Sequence, residues 1–154
     1  MQSRVIIYVN VGSGKTTLAR GLGLPVLSLD HIAWAASAVG APIEQSLAAL
    51  DAFMSEHTER VIEGCYGDLI KHAAKHATEL RFLNPGAETC IANARNRPWE
   101  SGYCESAEEQ QRLLEPLIEF IRLYEKRSDE FGLACHRSIF AAFTGPKCEH
   151  DSQS

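Results

Sequence analysis

Arg4-Val5-Ile6-Ile7-Tyr8-Val9, followed by Asn10-Val11-Gly12-Ser13-Gly14-Lys15-Thr16-Thr17, is the stretch on which the fold turns. From Val5 to Val9 every residue is apolar or aromatic, and the run stops at a glycine-rich turn. A short unbroken apolar run of this kind reads as a strand buried on both faces of a parallel sheet. Helix formers follow from Gly14 to Leu22, and Gly23 stands where a C-terminal cap belongs. A strand, a glycine-rich turn and Gly-Lys-Thr opening a helix match the phosphate-binding loop pattern G-x-x-x-x-G-K-[ST], also called Walker A, from Gly14 onward.

The residue types suit the chemistry. Glycines let backbone N–H groups curl around an anion with no Cβ in the way, and the following helix turns its positive end toward that anion. The reading assigns Asn10, Val11, Gly12, Ser13, Gly14, Lys15, Thr16 and Thr17 to the phosphates of ATP, with Lys15 on the β- and γ-phosphates and the Thr16 hydroxyl on Mg²⁺. The competing reading is a glycine-rich turn that happens to precede a lysine. The pattern's first glycine falls at position 9, which is Val9 here. Valine narrows the backbone freedom that glycine would give the turn.

Working outward, strand-like and helix-like segments alternate. Strands are expected at 4–9, 25–29, 60–63 and 79–83, the last stopped by Asn84-Pro85-Gly86. Helices are expected at 14–22, 42–57, 66–78, 87–96, 106–127 and 130–143. Ser106 with Glu109 forms a capping box. Leu113, Leu117, Phe120, Ile121 and Tyr124 form an apolar stripe behind it, and Pro116 is expected to kink or split that helix. Residues 96–105 are irregular and lid-like, and 144–154 read as a polar, frayed tail. The alternation predicts an α/β domain over 1–143: three layers, α/β/α, around a short parallel sheet of about four strands, with a helical C-terminal part. Ligands in such sheets bind beyond the carboxyl ends of the strands, which places interest just after Val9, Leu29, Glu63 and Leu83.

Composition excludes several classes. The chain has 154 residues, 45% of them hydrophobic and 23% charged, which suits one globular domain. Its longest run free of charge and histidine, Ile32 to Ile43, is 12 residues, too short for a membrane span. The formal charge of −5 makes it a poor binder of nucleic-acid backbones. The five cysteines, Cys65, Cys90, Cys104, Cys135 and Cys148, are odd in number and contain no CxxC. With no secretory signal at the start, they are expected to be free thiols in a cytoplasmic protein.

From Val5 to about Arg97 the chain resembles the small P-loop kinases: adenylate kinase, shikimate kinase, gluconate kinase and their uncharacterised bacterial relatives. Gly12 to Thr17 is the most specific part of the likeness. Leu29-Asp30 resembles the family's acidic residue facing the acceptor. Val61-Ile62-Glu63-Gly64 resembles its hydrophobic-Asp-Gly segment, with Glu in place of Asp. Arg95 and Arg97 resemble the lid arginines. The resemblance implies a P-loop fold and transfer of the ATP γ-phosphate. Glu63 would hold Mg²⁺ through water, Asp30 would orient or deprotonate an acceptor hydroxyl, and Arg95 and Arg97 would neutralise the transferring group.

Each role has a plainer rival. Glu63 could pair with Arg60 or Lys71, Asp30 could cap a helix, and Arg95 and Arg97 could end a solvated helix. His72 and His76, one helical turn apart, read as a surface face rather than a metal grip. Trp34 and Trp99 could cover a ligand or pack beneath loops.

From Gly21 to Glu59 there is no Lys or Arg. A dianionic acceptor would find no partner there, so a neutral or weakly charged small molecule is favoured over a nucleoside monophosphate. The glycine triplet that shikimate kinases carry after the third strand is Gly64-Cys65-Tyr66 here, and their acidic pair after the second strand is reduced to Asp30. Two functions are therefore expected to compete: a small-molecule kinase using MgATP, and an ATP-binding or ATP-hydrolysing module without an acceptor.

Overall fold

A computed structural model describes residues 3–9, 15–33, 43–97 and 106–150. In chain order the elements are β1 (Arg4–Val9), α1 (Lys15–Arg20), β2 (Val26–Ser28), α2 (Leu29–Ala33), α3 (Ile43–Glu56), β3 (Arg60–Gly64), α4 (Gly67–Ala74), β4 (Glu79–Leu83), α5 (Ala87–Asn96), α6 (Ala107–Arg122), α7 (Leu133–Ala142) and β5 (Lys147–His150). The sheet has five strands in the order β2-β3-β1-β4-β5. Every pairing is parallel.

β1 lies at the centre and is covered on both faces, which explains its unbroken apolar run. Val5 to Tyr8 and all five residues of β3 are buried. The crossover from β1 to β2 runs one way along the sheet, and those from β3 to β4 and β4 to β5 run the other. Right-handed connections then put α1 on one face and α4 and α7 on the opposite face, and α4 and α7 do pack on each other and on β1. The fold is a three-layer α/β/α architecture.

Backbone details follow from residue type. Gly23 leaves α1 with a φ of +71°, the left-handed conformation that glycine adopts without a Cβ penalty. Ser106 caps α6, its Oγ accepting from the Glu109 N–H at 3.1 Å. Arg60 is buried at the start of β3 and donates to the carbonyls of Met54, His57 and His76, tying the ends of α3 and α4 to the sheet.

A buried polar chain links the turn after α6, α7 and the residue that follows β3. The Tyr124 hydroxyl lies 2.7 Å from His136 Nδ1, and His136 Nε2 lies 3.0 Å from the Cys65 carbonyl oxygen. A carbonyl only accepts, so Nε2 carries the proton and Nδ1 accepts from Tyr124. Tyr8 donates to the His136 carbonyl at 3.2 Å and stacks on Phe82, ring centroids 5.2 Å apart. Burial pushes the Tyr8 and Tyr124 hydroxyls far up from the usual tyrosine range, which keeps both as donors.

Four expectations need correction. Residues 147–150 are not a frayed tail. They form the edge strand β5, paired with β4 from Leu80↔Lys147 to Leu83↔His150. Lys-Cys-Glu-His carries no apolar alternation because an edge strand is held through its backbone, and Lys147 to Glu149 are exposed. The Lys147 ammonium donates to the carbonyls of Phe140 and Phe143 at the end of α7. Pro116 does not split α6, which runs unbroken from Ala107 to Arg122. Pro116 and Arg112 are both exposed, so water can satisfy the Arg112 carbonyl that loses its helical donor.

The stripe on α6 is also turned from its expected position. Leu113 is 49% exposed, whereas Ile118 and Ile121, flanked by Leu114 and Leu117, pack against Cys90, Ile91 and Ala94 of α5. Phe120 instead meets the Phe131 ring at 5.7 Å, with the Arg127 guanidinium 4.1 Å from its centre. Last, β2 ends at Ser28, and Leu29 opens α2. No helix among the described residues is long and apolar enough to cross a membrane.

Candidate functional site

The carboxyl ends of β2, β3 and β1 stand side by side, and the register fixes which side chains share a face. Ile7 is the partner of Glu63, and Glu63 is the partner of Ser28. Tyr8 points toward α7, where its ring meets His136 edge-on at 5.5 Å. Alternation along a strand therefore turns Ile7 to the opposite face, and Glu63 and Ser28 go with it. That is the face on which α1 packs against β1, β2 and β3.

Glu63 is 1% exposed, and among the described residues neither of its carboxyl oxygens has a hydrogen-bond partner. Neither sequence-expected partner reaches it. Arg60 is engaged with three carbonyls, and lies three residues away on the strand, hence on the other face. Lys71 stands beside the Cys135 thiol. Native proteins rarely leave a buried carboxyl unpaired. An acid so placed, at the strand ends beyond a phosphate-loop sequence, is a fit receptor for the water shell of a divalent cation.

Ser28 was missed by sequence reasoning. It is 8% exposed, and its hydroxyl is likewise buried with no partner among the described residues. A serine between Leu27 and Leu29 gives no sign of its own; only the register, which sets it beside Glu63, singles it out.

Gly64 brings α2 to the site. A Cβ there would lie 2.8 Å from Leu29 Cβ and 2.9 Å from Leu29 Cδ1, so only glycine lets the buried Leu29 seat against β3. Asp30 follows, half-buried in the first turn of α2. The helix begins one residue before it, so Asp30 is not the cap of a helix starting at His31.

The remaining predicted residues are placed as follows. Arg95, near the end of α5, lies 3.7 Å from Glu115 of α6 in an exposed ion pair. Arg97 caps α5, and its carbonyl accepts from Gln110 at 3.1 Å. α1 begins at Lys15. Asn10 to Gly14, the side chains of Val9 and of Lys15 to Thr17, and Trp34, Trp99 and Cys104 lie outside the described residues. His72 pairs with Asp51 at 2.7 Å. Cys65, Cys90, Cys135 and Cys148 form no disulfide among the described residues.

A cleft of about 610 Å³ between α4 and the lead-in to α7 includes neither Ser28 nor Glu63. It holds Asp68, Lys71, Glu130 and Cys135. Burial, together with a hydrogen bond and like charge from Asp68, pushes Glu130 up to about 7.

No protein-family model matches the chain, and no curated protein matches it. Among solved structures it is similar to a shikimate kinase from Bacteroides thetaiotaomicron, with a TM-score of 0.55 and 17% identity, covering 97% of this chain and 87% of that one. It is also similar to an uncharacterized protein from Eubacterium ventriosum, with a TM-score of 0.50 and 17% identity, covering 97% and 90%. These likenesses show the fold alone.

Proposed function

We propose that the chain binds MgATP at Asn10 to Thr17 and transfers the γ-phosphoryl group to a hydroxyl of a small, neutral or weakly charged molecule. The observation that carries this reading is Glu63, a fully buried carboxyl at the carboxyl end of β3 with no partner among the described residues. It stands beside the strand that leads into the Gly-Lys-Thr turn.

In this reading the loop's backbone N–H groups and Lys15 hold the β- and γ-phosphates. The Thr16 hydroxyl would hold Mg²⁺ directly and the Glu63 carboxyl would hold it through water; the ion would supply charge neutralisation on the phosphate oxygens. Phosphoryl transfer asks the protein mainly for positioning and charge. Asp30 orients the acceptor hydroxyl and takes its proton. Arg95 and Arg97 act from the lid side, which requires the exposed Arg95–Glu115 pair to open; such a pair is weak enough to do so. The acceptor is neutral because Gly21 to Glu59 offers no lysine or arginine to a second phosphate.

Isothermal titration calorimetry with MgATP tests the binding half. Wild type should bind, and Lys15→Ala should bind at least tenfold more weakly, about 1.4 kcal/mol; equal affinity would end the reading. ADP release that rises on adding a metabolite mixture supports the kinase. Release indifferent to every metabolite leaves an ATP-binding or ATP-hydrolysing module in its place.

A further inference from the structure

We infer that Ser28 is a positioning residue of the cation site, its hydroxyl sharing with Glu63 one water of the divalent ion's shell. The inference rests on the MgATP reading above and adds to it a residue that no acidic or basic pattern marks.

Three observations carry it. The first is that Ser28 and Glu63 are register partners on adjacent parallel strands, so their side chains leave one face of the sheet with strands about 4.8 Å apart. The second is that both are more than nine-tenths buried. The third is that Ser28 Oγ, Glu63 Oε1 and Glu63 Oε2 all lack partners among the described residues, so the two residues do not satisfy each other. Had the hydroxyl served only the fold, it would donate to a nearby carbonyl or to the carboxyl, as buried hydroxyls do. Two neighbouring orphans on one face point instead to a third group that both would bind.

The chemistry of the pair selects that group. Both oxygens accept hydrogen bonds, and a metal-bound water is a strong donor of two. Such a water could donate one hydrogen bond to the Glu63 carboxyl and another to the Ser28 hydroxyl oxygen. Mg²⁺ dehydrates reluctantly and keeps several waters, so it suits an outer-sphere clamp of one carboxyl and one hydroxyl. A direct ligand cage would need more carboxylates than this face holds. Ser28 thereby fixes the orientation of Glu63 when the ion arrives, and has no task when it is absent.

The test compares ATP affinity by calorimetry with Mg²⁺ and with EDTA, in wild type, Ser28→Ala and Ser28→Thr, alongside melting of each without ligand. Wild type should bind ATP more tightly with Mg²⁺. Ser28→Ala should lose at least fivefold of that enhancement while its affinity in EDTA moves less than twofold, and Ser28→Thr, which keeps the hydroxyl, should retain it. Without ligand, Ser28→Ala should melt no lower than wild type, because it removes a buried hydroxyl with no partner. In a Glu63→Gln background the Ser28→Ala change should cost less than twofold, since both act on one water. An unchanged Mg²⁺ enhancement, or an equal loss with and without metal, overturns the role of Ser28 while leaving MgATP binding standing. A lower melting temperature without ligand assigns the hydroxyl to the fold and overturns it too. Failure of wild type to bind ATP at all overturns the MgATP reading, and this inference with it.

Discussion

Replacing Glu63 by methionine should stabilise the ligand-free protein while removing its response to Mg²⁺. Methionine is unbranched and close to glutamate in length, so it fits the same space without a new clash. Glu63 is 1% exposed, and both carboxyl oxygens lack partners among the described residues. A buried polar group without partners costs about 1–3 kcal/mol relative to its hydrated state, and more if charged. The substitution removes that cost and buries apolar atoms in its place, for a gain of about 1–4 kcal/mol. That range is also typical when buried ionic groups give way to apolar ones of similar volume. For a domain of this size each kcal/mol moves the melting temperature by about 2–4 °C, so Glu63→Met should melt roughly 2–15 °C higher than wild type. Differential scanning calorimetry in EDTA measures it. With MgATP the order should narrow or reverse, because only wild type gains from the ligand. A Glu63→Met protein that melts lower than wild type in EDTA would refute the argument. The carboxyl would then have a partner in the folded chain, and the cation would lose its reason to bind there.

Gly64→Ala should destabilise by about 1–3 kcal/mol, because its Cβ would meet the buried Leu29 side chain at 2.8 Å; a change in melting temperature under 1 °C would show that Leu29 can move aside freely. Glu130 is pushed up to about 7 by burial and by Asp68, so the folded state holds a proton that the unfolded chain releases near 4.5. The stability from that proton is fully present below about pH 4.5 and is lost as pH rises through about 7. Glu130→Gln should therefore match wild type near pH 5 and exceed it near pH 8. The gain, screened at this half-exposed site, is on the order of 1 kcal/mol. Parallel slopes of melting temperature against pH for the two proteins would place the proton elsewhere.

The sequence is legible where burial and local chemistry coincide. β1, β3 and β4 are visible as apolar runs because the centre of a parallel sheet is covered on both faces, and Gly23 and Asn84-Pro85-Gly86 mark where elements stop. Lys147–His150 is not visible because an edge strand bonds through atoms that every residue shares. The face of α6 is ambiguous because Leu113, Leu114, Leu117, Ile118 and Ile121 satisfy two overlapping helical stripes, and only the position of α5 chooses between them. Within the site, Glu63 is legible as an acid at a strand end, but its lack of a partner is not. The rivalry with Arg60 and Lys71 is settled by where those side chains go in three dimensions. Ser28 is silent for the same reason: its significance lies in strand register, and register belongs to the pair of strands rather than to either segment.

The strand order β2-β3-β1-β4-β5 also sets a timetable for folding. β1 is made first and is apolar on both faces, yet neither of its neighbours in the sheet is next in the chain. β2, the strand that follows it, pairs only with β3. A nascent chain therefore carries Val5 to Tyr8 unpaired until Arg60–Gly64 has emerged, and the sheet's other half waits for Glu79–Leu83. Closing loops of that length before any pairing rewards them is slow. During the interval α1 and α3 can form locally, but the hexapeptide Arg-Val-Ile-Ile-Tyr-Val has only solvent or another chain to meet. It combines high β-propensity, one charge and no proline, the composition that favours strand-to-strand association between molecules. Recovery of folded protein should thus depend on how quickly β3 reaches β1, a property of the connection between them rather than of the site they build.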